Sequence, residues 1–187
     1  RLIGINIHFC ATCDAPFYKG KQVYVMGGGN SGFQEALHIC QFAEHVTILE
    51  YADKPNASLI LQEKIYDCGK ISIQTNQEVR EFLVNQERKM AGMRIVDRVT
   101  GEERIDHPDG VFILIGMEPN SDPFKPYLET DDHGFIVTSD SLETSIPGVF
   151  AAGDVRARST KQAASAAGEG ATAALMMRQY LQRVKTM

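Results

Sequence analysis

The sequence is short of the features that mark several large protein classes. Only four of its 187 residues are cysteine, too few for a small secreted scaffold that relies on cross-links in place of a core. No stretch approaches the roughly 18 to 20 consecutive apolar residues that a membrane-spanning helix requires. Excess positive charge is missing as well: 19 Lys and Arg stand against 24 Asp and Glu, a net charge of −5. No basic face for nucleic acid is therefore expected, and no membrane partner. Low-complexity runs and internal repeats are absent. The opening Arg1-Leu2-Ile3-Gly4 has neither a Met nor the apolar core of a signal peptide, so the expectation is a cytoplasmic protein whose chain begins mid-sequence. What is there, 43% hydrophobic and 23% charged residues, is the composition of a soluble globular chain long enough to bury one core or two modest ones.

Hydrophobic period and Gly/Pro punctuation give the organisation. Lys21 to Met26 is a β-branched run that ends at Gly27-Gly28-Gly29, and Asn30 to Ala43 then places Phe33, Ala36, Leu37 and Cys40 at helical spacing. That order reads as strand, tight glycine turn, helix. His45 to Glu50 reads as a second strand, Leu59 to Cys68 as a helix stopped by Gly69, and Ile71 to Ile73 as a third strand. A βαβαβ order implies a parallel sheet with right-handed crossovers. Glu78 to Val84, Met90 to Val99 and Arg104 to His107 read as an antiparallel meander, expected to cover one edge of that sheet. Val111 to Ile115 is an apolar run, the mark of a strand buried on both faces, and Gly116-Met117-Glu118-Pro119-Asn120 breaks it. A domain boundary is placed there, giving residues 1–116 and 117–187. The second part is expected to hold a short strand at Gly148 to Ala152 and an Ala-rich helix from about Lys161 to Arg183.

Two motifs carry chemistry by themselves. Gly27-x-Gly29-x-x-Gly32 follows a strand and opens a helix, the context in which a glycine pattern binds a dinucleotide. Gly27 permits the tight turn, Gly29 lets backbone amides approach a pyrophosphate, and Gly32 brings the helix close to the sheet. The anion then rests on the helix N-terminus. Glu50 ends the second strand 23 residues after Gly27, close to the spacing at which an acid accepts hydrogen bonds from the adenosine ribose. A solvated strand end is the plain alternative. A carboxylate there repels a 2′-phosphate, and Tyr51-Ala52-Asp53-Lys54-Pro55-Asn56 holds no arginine, so NADH is favoured over NADPH.

The second motif is Cys10-Ala11-Thr12-Cys13, followed by Asp14. This spacing suits a disulfide at a helix start, where the dipole stabilises a thiolate. Zinc and inert thiols are the competitors. A tetrahedral zinc site needs a second pair of ligands, whereas Cys40 and Cys68 stand alone and the five histidines form no close pair, so no metal is expected. Asp14 either shuttles a proton during thiol–disulfide exchange or caps the helix start.

The runs Cys10-Ala-Thr-Cys13-Asp14-Ala-Pro-Phe-Tyr18, Gly27-Gly-Gly-Asn-Ser-Gly32 and Thr144-Ser-Ile-Pro-Gly-Val-Phe-Ala-Ala-Gly-Asp154, with Lys161-Gln162-Ala163, closely resemble the low-molecular-weight thioredoxin reductases, a class of pyridine nucleotide-disulfide oxidoreductase. The resemblance covers essentially the whole chain, with three motifs in the correct order. A close relative, the flavoprotein that reduces the alkyl hydroperoxide peroxiredoxin, shares them, and Leu49-Glu50-Tyr51-Ala52-Asp53 with Leu61-Gln62-Glu63-Lys64 is similar to its NADH-binding stretch. NADPH-using thioredoxin reductases usually carry an Arg pair and a further Arg there, where this chain has Tyr51, Ala52 and Asn56.

The resemblance implies FAD as a second cofactor besides NADH or NADPH. It assigns Gly153 and Asp154 to the flavin's ribityl and pyrophosphate region, and Lys161, Gln162 and Ala163 to the start of the last helix beside the isoalloxazine. Asn30 and Ser31, which complete the first glycine run, are counted with the cofactor-binding residues. Cys13 would face the flavin and Cys10 would attack the partner. Members of the family begin with an FAD-binding Rossmann half carrying its own glycine fingerprint, and none precedes Cys10. The expected fold is thus α/β: a Rossmann-like nucleotide-binding domain with the redox motif and an antiparallel meander, plus the C-terminal portion of a split FAD-binding domain. The expected function is disulfide reduction, with electrons passing from NAD(P)H through FAD and the Cys10/Cys13 pair to a thioredoxin-like or peroxiredoxin-linked protein disulfide, in a homodimer. A nucleotide-binding or redox-sensing module without turnover is the alternative of another class.

Overall fold

Alternation along a few short strands decides the architecture of the first 116 residues. In the computed structural model, which describes residues 2–185, the elements run β1 (Ile7–His8), α1 (Ala11–Asp14), β2 (Gln22–Met26), α2 (Asn30–Ile39), β3 (His45–Leu49), α3 (Leu59–Cys68) and β4 (Ile71–Gln74). They continue with β5 (Gln77–Val84), β6 (Met90–Asp97), β7 (Glu103–Asp106) and β8 (Gly110–Ile113). Five strands form a parallel sheet in the order β1-β8-β2-β3-β4. The strand β1, two residues long, is a sheet member that the hydrophobic pattern does not announce.

Successive side chains of a strand point to opposite faces. On one face Val23, Val25, Val46, Ile48 and Phe112 meet Phe33, Ala36 and Ile39 of α2 and Ile65 of α3 in a single core. On the other face Leu49 and Val111, with Tyr24, Met26 and Ile113, meet Met93 and Ile95 of β6 and the partly buried Val79 and Phe82 of β5. The three-stranded antiparallel sheet β5-β6-β7 therefore covers a face of the parallel sheet, not the edge expected from the sequence. The physical reason is that β2, β3 and β8 are apolar on both sides, both crossover helices lie on one side, and the meander supplies the missing cover.

Helix α2 stops at Ile39 where the sequence reading runs to Ala43, because Cys40 caps it and the Phe42 carbonyl accepts from Gly20 N–H at 3.0 Å, turning the chain toward β3. Strand β8 likewise ends at Ile113, and Ile115 is 70% exposed.

The chain divides into two compact units at the Gly116/Met117 boundary. The second has little regular structure: a tight turn at Gly153–Val155 and the helix α4 (Ala163–Lys185). Gly148 to Ala152 is not a strand; its one ladder contact is the isolated Glu143–Phe150 bridge. Leu128, Ile136 and Ala151 make a small core, with Val155 against it. Arg156 and Glu169, both 15% exposed at the side chain, form an ion pair between the turn and α4. No described helix is long and apolar enough to cross a membrane.

Candidate functional site

Cys10 and Cys13 form a disulfide at the start of α1, a single four-residue turn. Cys10 is the N-cap, its Sγ accepting from Cys13 N–H at 3.2 Å. Four residues carry little aligned dipole, so this backbone N–H, rather than the helix dipole expected from the motif, is the local support for charge on Cys10 sulfur. Cys13 is exposed and Cys10 half-buried, so the bond is open to a partner.

The next residue, Asp14, makes no side-chain cap. Its Oδ2 lies 3.0 Å from His8 Nδ1, an ionic approach that is not a hydrogen bond. His8 Nε2 meets the Tyr18 hydroxyl at 2.7 Å, and that hydroxyl also reaches the Ile5 carbonyl at 3.3 Å. The His8 ring stacks on Phe112 at 5.2 Å between centroids. Burial, with Asp14 and Asp109 nearby, pushes the Tyr18 phenol up to about 12, so it stays protonated. Sequence reasoning missed His8 and Tyr18: a histidine two residues before the first cysteine carries no signal until β1 places it against Asp14.

A second site opens at the C-terminal ends of the parallel strands, where ligands settle in open α/β sheets. A cavity of about 710 Å³ is lined by Gly27, Gly28, Gly29, Asn30, Ser31 and Glu50, with Tyr51, Asn56, Leu114 and Ile115 among the rest. Gly27, Gly29, Asn30, Ser31 and Glu50, all assigned from the sequence, thus come together on its wall, whereas Gly32 lies behind it. A Cβ on Gly32 would collide with the Gly27 carbonyl oxygen, while one on Gly29 would meet nothing within 4 Å. Gly32 is therefore a packing glycine, and the open side of the turn is at Gly29. There α2 begins with no side-chain cap, leaving its first amides to a ligand. The donor set fits a dinucleotide phosphate.

The Glu50 carboxylate is held by Gly28 N–H and, at 2.8 Å, by Ala52 N–H, which fixes it at the cavity wall as an acceptor. Arg98, in the turn between β6 and β7, lays its guanidinium over the Tyr51 ring at 3.6 Å and donates to the Tyr51 carbonyl at 2.8 Å. The segment after Glu50 has no arginine in sequence, but one arrives beside it in space. No local pattern could have shown that, since 47 residues separate the two.

In the second unit Gly153 has φ +78°, a left-handed conformation natural to glycine. Its N–H donates to Glu169 Oε2 at 2.7 Å. Lys161 Nζ donates to the carbonyls of Asp154 and Arg156, each at 2.7 Å, and sits 3.8 Å over the Phe135 ring. Asp154, Gln162 and Ala163 are exposed, and Asp154 borders a depression of about 300 Å³ with Pro119, Asn120 and Phe135. Of the residues that the sequence assigns to the flavin, Gly153 and Lys161 are thus turned into the protein, and Asp154, Gln162 and Ala163 lie at its surface. That split fits a flavin contact through Asp154, Gln162 and Ala163, with Gly153 and Lys161 shaping the turn. Glu169 and Arg156, which the sequence reading did not single out, carry the pair that builds it.

Cys40 and Cys68, which stand alone in sequence, are brought to 3.1 Å between sulfurs. Among the described residues no group of three or more His, Cys, Asp or Glu side chains is placed to hold a metal ion.

The chain shares sequence and structure with known proteins. It is 40% identical over 185 residues to a thioredoxin reductase of Bacillus subtilis, covering 99% of this chain and 58% of that protein. It is 38% identical over 183 residues to an alkyl hydroperoxide reductase component of Staphylococcus aureus, covering 98% of this chain and 36% of the other. Its structure matches that of a thioredoxin reductase from Streptococcus pyogenes with a TM-score of 0.87 at 35% identity, over 97% of this chain and 59% of that one. The chain spans little more than half the length of the thioredoxin reductases it matches, and about a third of the alkyl hydroperoxide reductase component. The family of pyridine nucleotide-disulphide oxidoreductases matches residues 2–170, and it is to this family that the chain belongs.

Proposed function

We propose that this chain is the part of a flavin-dependent disulfide reductase that binds NAD(P)H and carries the disulfide through which electrons reach a protein disulfide. The observation that carries the reading is that the exposed Cys10–Cys13 bond and the glycine-turn cavity belong to one 116-residue unit. The family depends on flavin and pyridine nucleotide, and these groups, when bound, supply hydride and two-electron transfer to the disulfide. The chain's own residues hold and finish that chemistry. Gly29, Asn30 and Ser31 present amides to the nucleotide phosphates, and Glu50 accepts from the adenosine ribose. In the second unit Asp154, Gln162 and Ala163 contact the flavin. Once reduced, Cys10 attacks the partner disulfide while Asp14, backed by His8 and Tyr18, hands a proton to the leaving sulfur.

Replacing Cys10 by Ser in the flavin-loaded protein tests this. Reduction of a protein disulfide should be lost, while oxidation of nicotinamide by a small electron acceptor persists. Retention of disulfide reduction without Cys10 would overturn the assignment.

A peroxiredoxin-linked partner is the second reading, and the observation that bears on it is the Glu50 carboxylate fixed on the cavity wall. It accepts from ribose hydroxyls and repels a 2′-phosphate, so the nicotinamide cofactor is NADH, the preference shared with the similar stretch of the peroxiredoxin reductase flavoprotein.

A further inference from the structure

We propose that Cys40 and Cys68 are a second, oxidisable dithiol, at which a hydroperoxide forms a disulfide joining the C-terminal ends of α2 and α3. Their sulfurs are 3.1 Å apart, only about 1 Å more than the bond of about 2.05 Å they would form. Each stands where the backbone can yield. Cys40 is the cap just past α2, and Cys68 is the last residue of α3, followed by Gly69 in the left-handed conformation at φ +68°.

The two thiols differ in access. Cys40 is 8% exposed within the core, with its Sγ also 3.2 Å from the Leu37 carbonyl. Burial and the neighbouring Cys68 thiol push it up to about 11, so it remains a thiol at neutral pH. Cys68 is part-exposed at the core margin, and an oxidant reaches it first.

The chemistry balances. The Cys68 thiolate attacks one oxygen of the hydroperoxide and the O–O bond breaks, giving a sulfenic acid and one alcohol or water. Cys40 sulfur then displaces the sulfenic oxygen: an S–S bond forms, an S–O bond breaks, and the Cys40 proton leaves with that oxygen as water. Two thiols lose two electrons and the hydroperoxide gains them.

The consequence lies in how α2 and α3 are already joined. At their N-terminal ends Asn30 Oδ1 accepts from Ser58 N–H at 2.8 Å, and the Gly28 carbonyl accepts from Asn56 and Ala57 N–H at 3.0 and 3.1 Å. A bond between positions 40 and 68 ties the opposite ends. The helical face that carries the glycine turn is then clamped at both ends under oxidant and released by reductant, independently of Cys10 and Cys13.

The test uses the whole chain, fully reduced and then treated with excess hydrogen peroxide under native conditions. Free thiols are alkylated, and the digest is mapped by mass spectrometry without reduction. A Cys40–Cys68 linked peptide is expected beside the Cys10–Cys13 one. Oxidised wild type should melt about 5–10 °C above oxidised Cys68→Ser, since the crosslink joins residues 28 positions apart, whereas the two reduced proteins should melt together. Recovery of Cys40 and Cys68 as alkylated thiols after Cys10–Cys13 has formed completely would overturn the proposal. So would their pairing with other cysteines, or a linked peptide whose formation leaves the melting temperature of the oxidised wild type no higher than that of the variant.

Discussion

At the scale of single residues, the chain's chemistry depends on side chains whose protonation is set by burial. Tyr18 and Tyr24 are both held near 12: Tyr18 by burial and then Asp14, Tyr24 by burial and then Asp106, to which its hydroxyl donates at 3.0 Å. A phenol whose native value lies above its unfolded value of about 10 keeps its proton longer in the folded protein. The stability this contributes is complete below about pH 10 and is lost as pH rises through about 12. Two of the six tyrosines should therefore ionise late in an absorbance titration of the phenolate band. Tyr18→Phe and Tyr24→Phe should each remove one late step.

Glu50 supports a different kind of prediction. Its carboxylate, held by Gly28 and Ala52 N–H, lies on the wall of the glycine-turn cavity, so NADH should exceed NADPH in kcat/KM by about tenfold or more, a difference of about 1.4 kcal/mol. Glu50→Gln should shrink that ratio several-fold by removing the charge that repels the 2′-phosphate. Steady-state kinetics with both nucleotides measures it.

At the scale of elements, the strand–turn–helix of β2 and α2 separates two kinds of glycine. In a helical first turn Gly→Ala normally stabilises by up to about 1 kcal/mol. At Gly32 the sign should reverse, because the new methyl collides with the Gly27 carbonyl oxygen and must drive helix from turn, at about 1–3 kcal/mol. Gly29→Ala meets open space at ordinary φ and should leave stability within about 0.5 kcal/mol. It should nonetheless weaken nucleotide binding by about tenfold or more, since its methyl points to where the phosphate approaches. Denaturant midpoints and nucleotide titration of the two variants distinguish packing from binding. The meander teaches the companion lesson: its strands show clearly in the alternation of Met93, Ile95 and Val79, but which surface they cover followed from the second apolar face of β2, β3 and β8.

At the scale of the whole molecule, the two units differ in how much core they own. The first buries a sheet on both faces, whereas the second relies on Leu128, Ile136 and Ala151, with Leu175, Met177, Leu181 and Val184 of α4 all more than 40% exposed. In the 187-residue chain, amide exchange should be slow in β2, β3 and β8 and faster throughout the residues after Asn120. Hydrogen-exchange mass spectrometry reads this directly, and equal protection of both units would contradict it.

Most of the sheet and the core of the candidate site were legible in sequence because they rest on local rules. Period-two runs mark strands, a glycine turn between strand and helix marks a phosphate site, and two cysteines three positions apart lie within reach of each other. Those rules placed α3 at Leu59–Cys68 to the residue and picked out Gly27, Gly29 and Glu50, which line one cavity; Asn30 and Ser31 beside them came from the family resemblance. What they could not reach are pairings made across long separations or through the sheet: β8 entering between β1 and β2, His8 against Asp14, Arg98 over Tyr51 and Cys40 against Cys68. A periodic pattern records only which face of an element is apolar. Which other element meets that face, and which polar or sulfur atoms are carried there with it, is decided when the sheet closes and every buried group must find its partner.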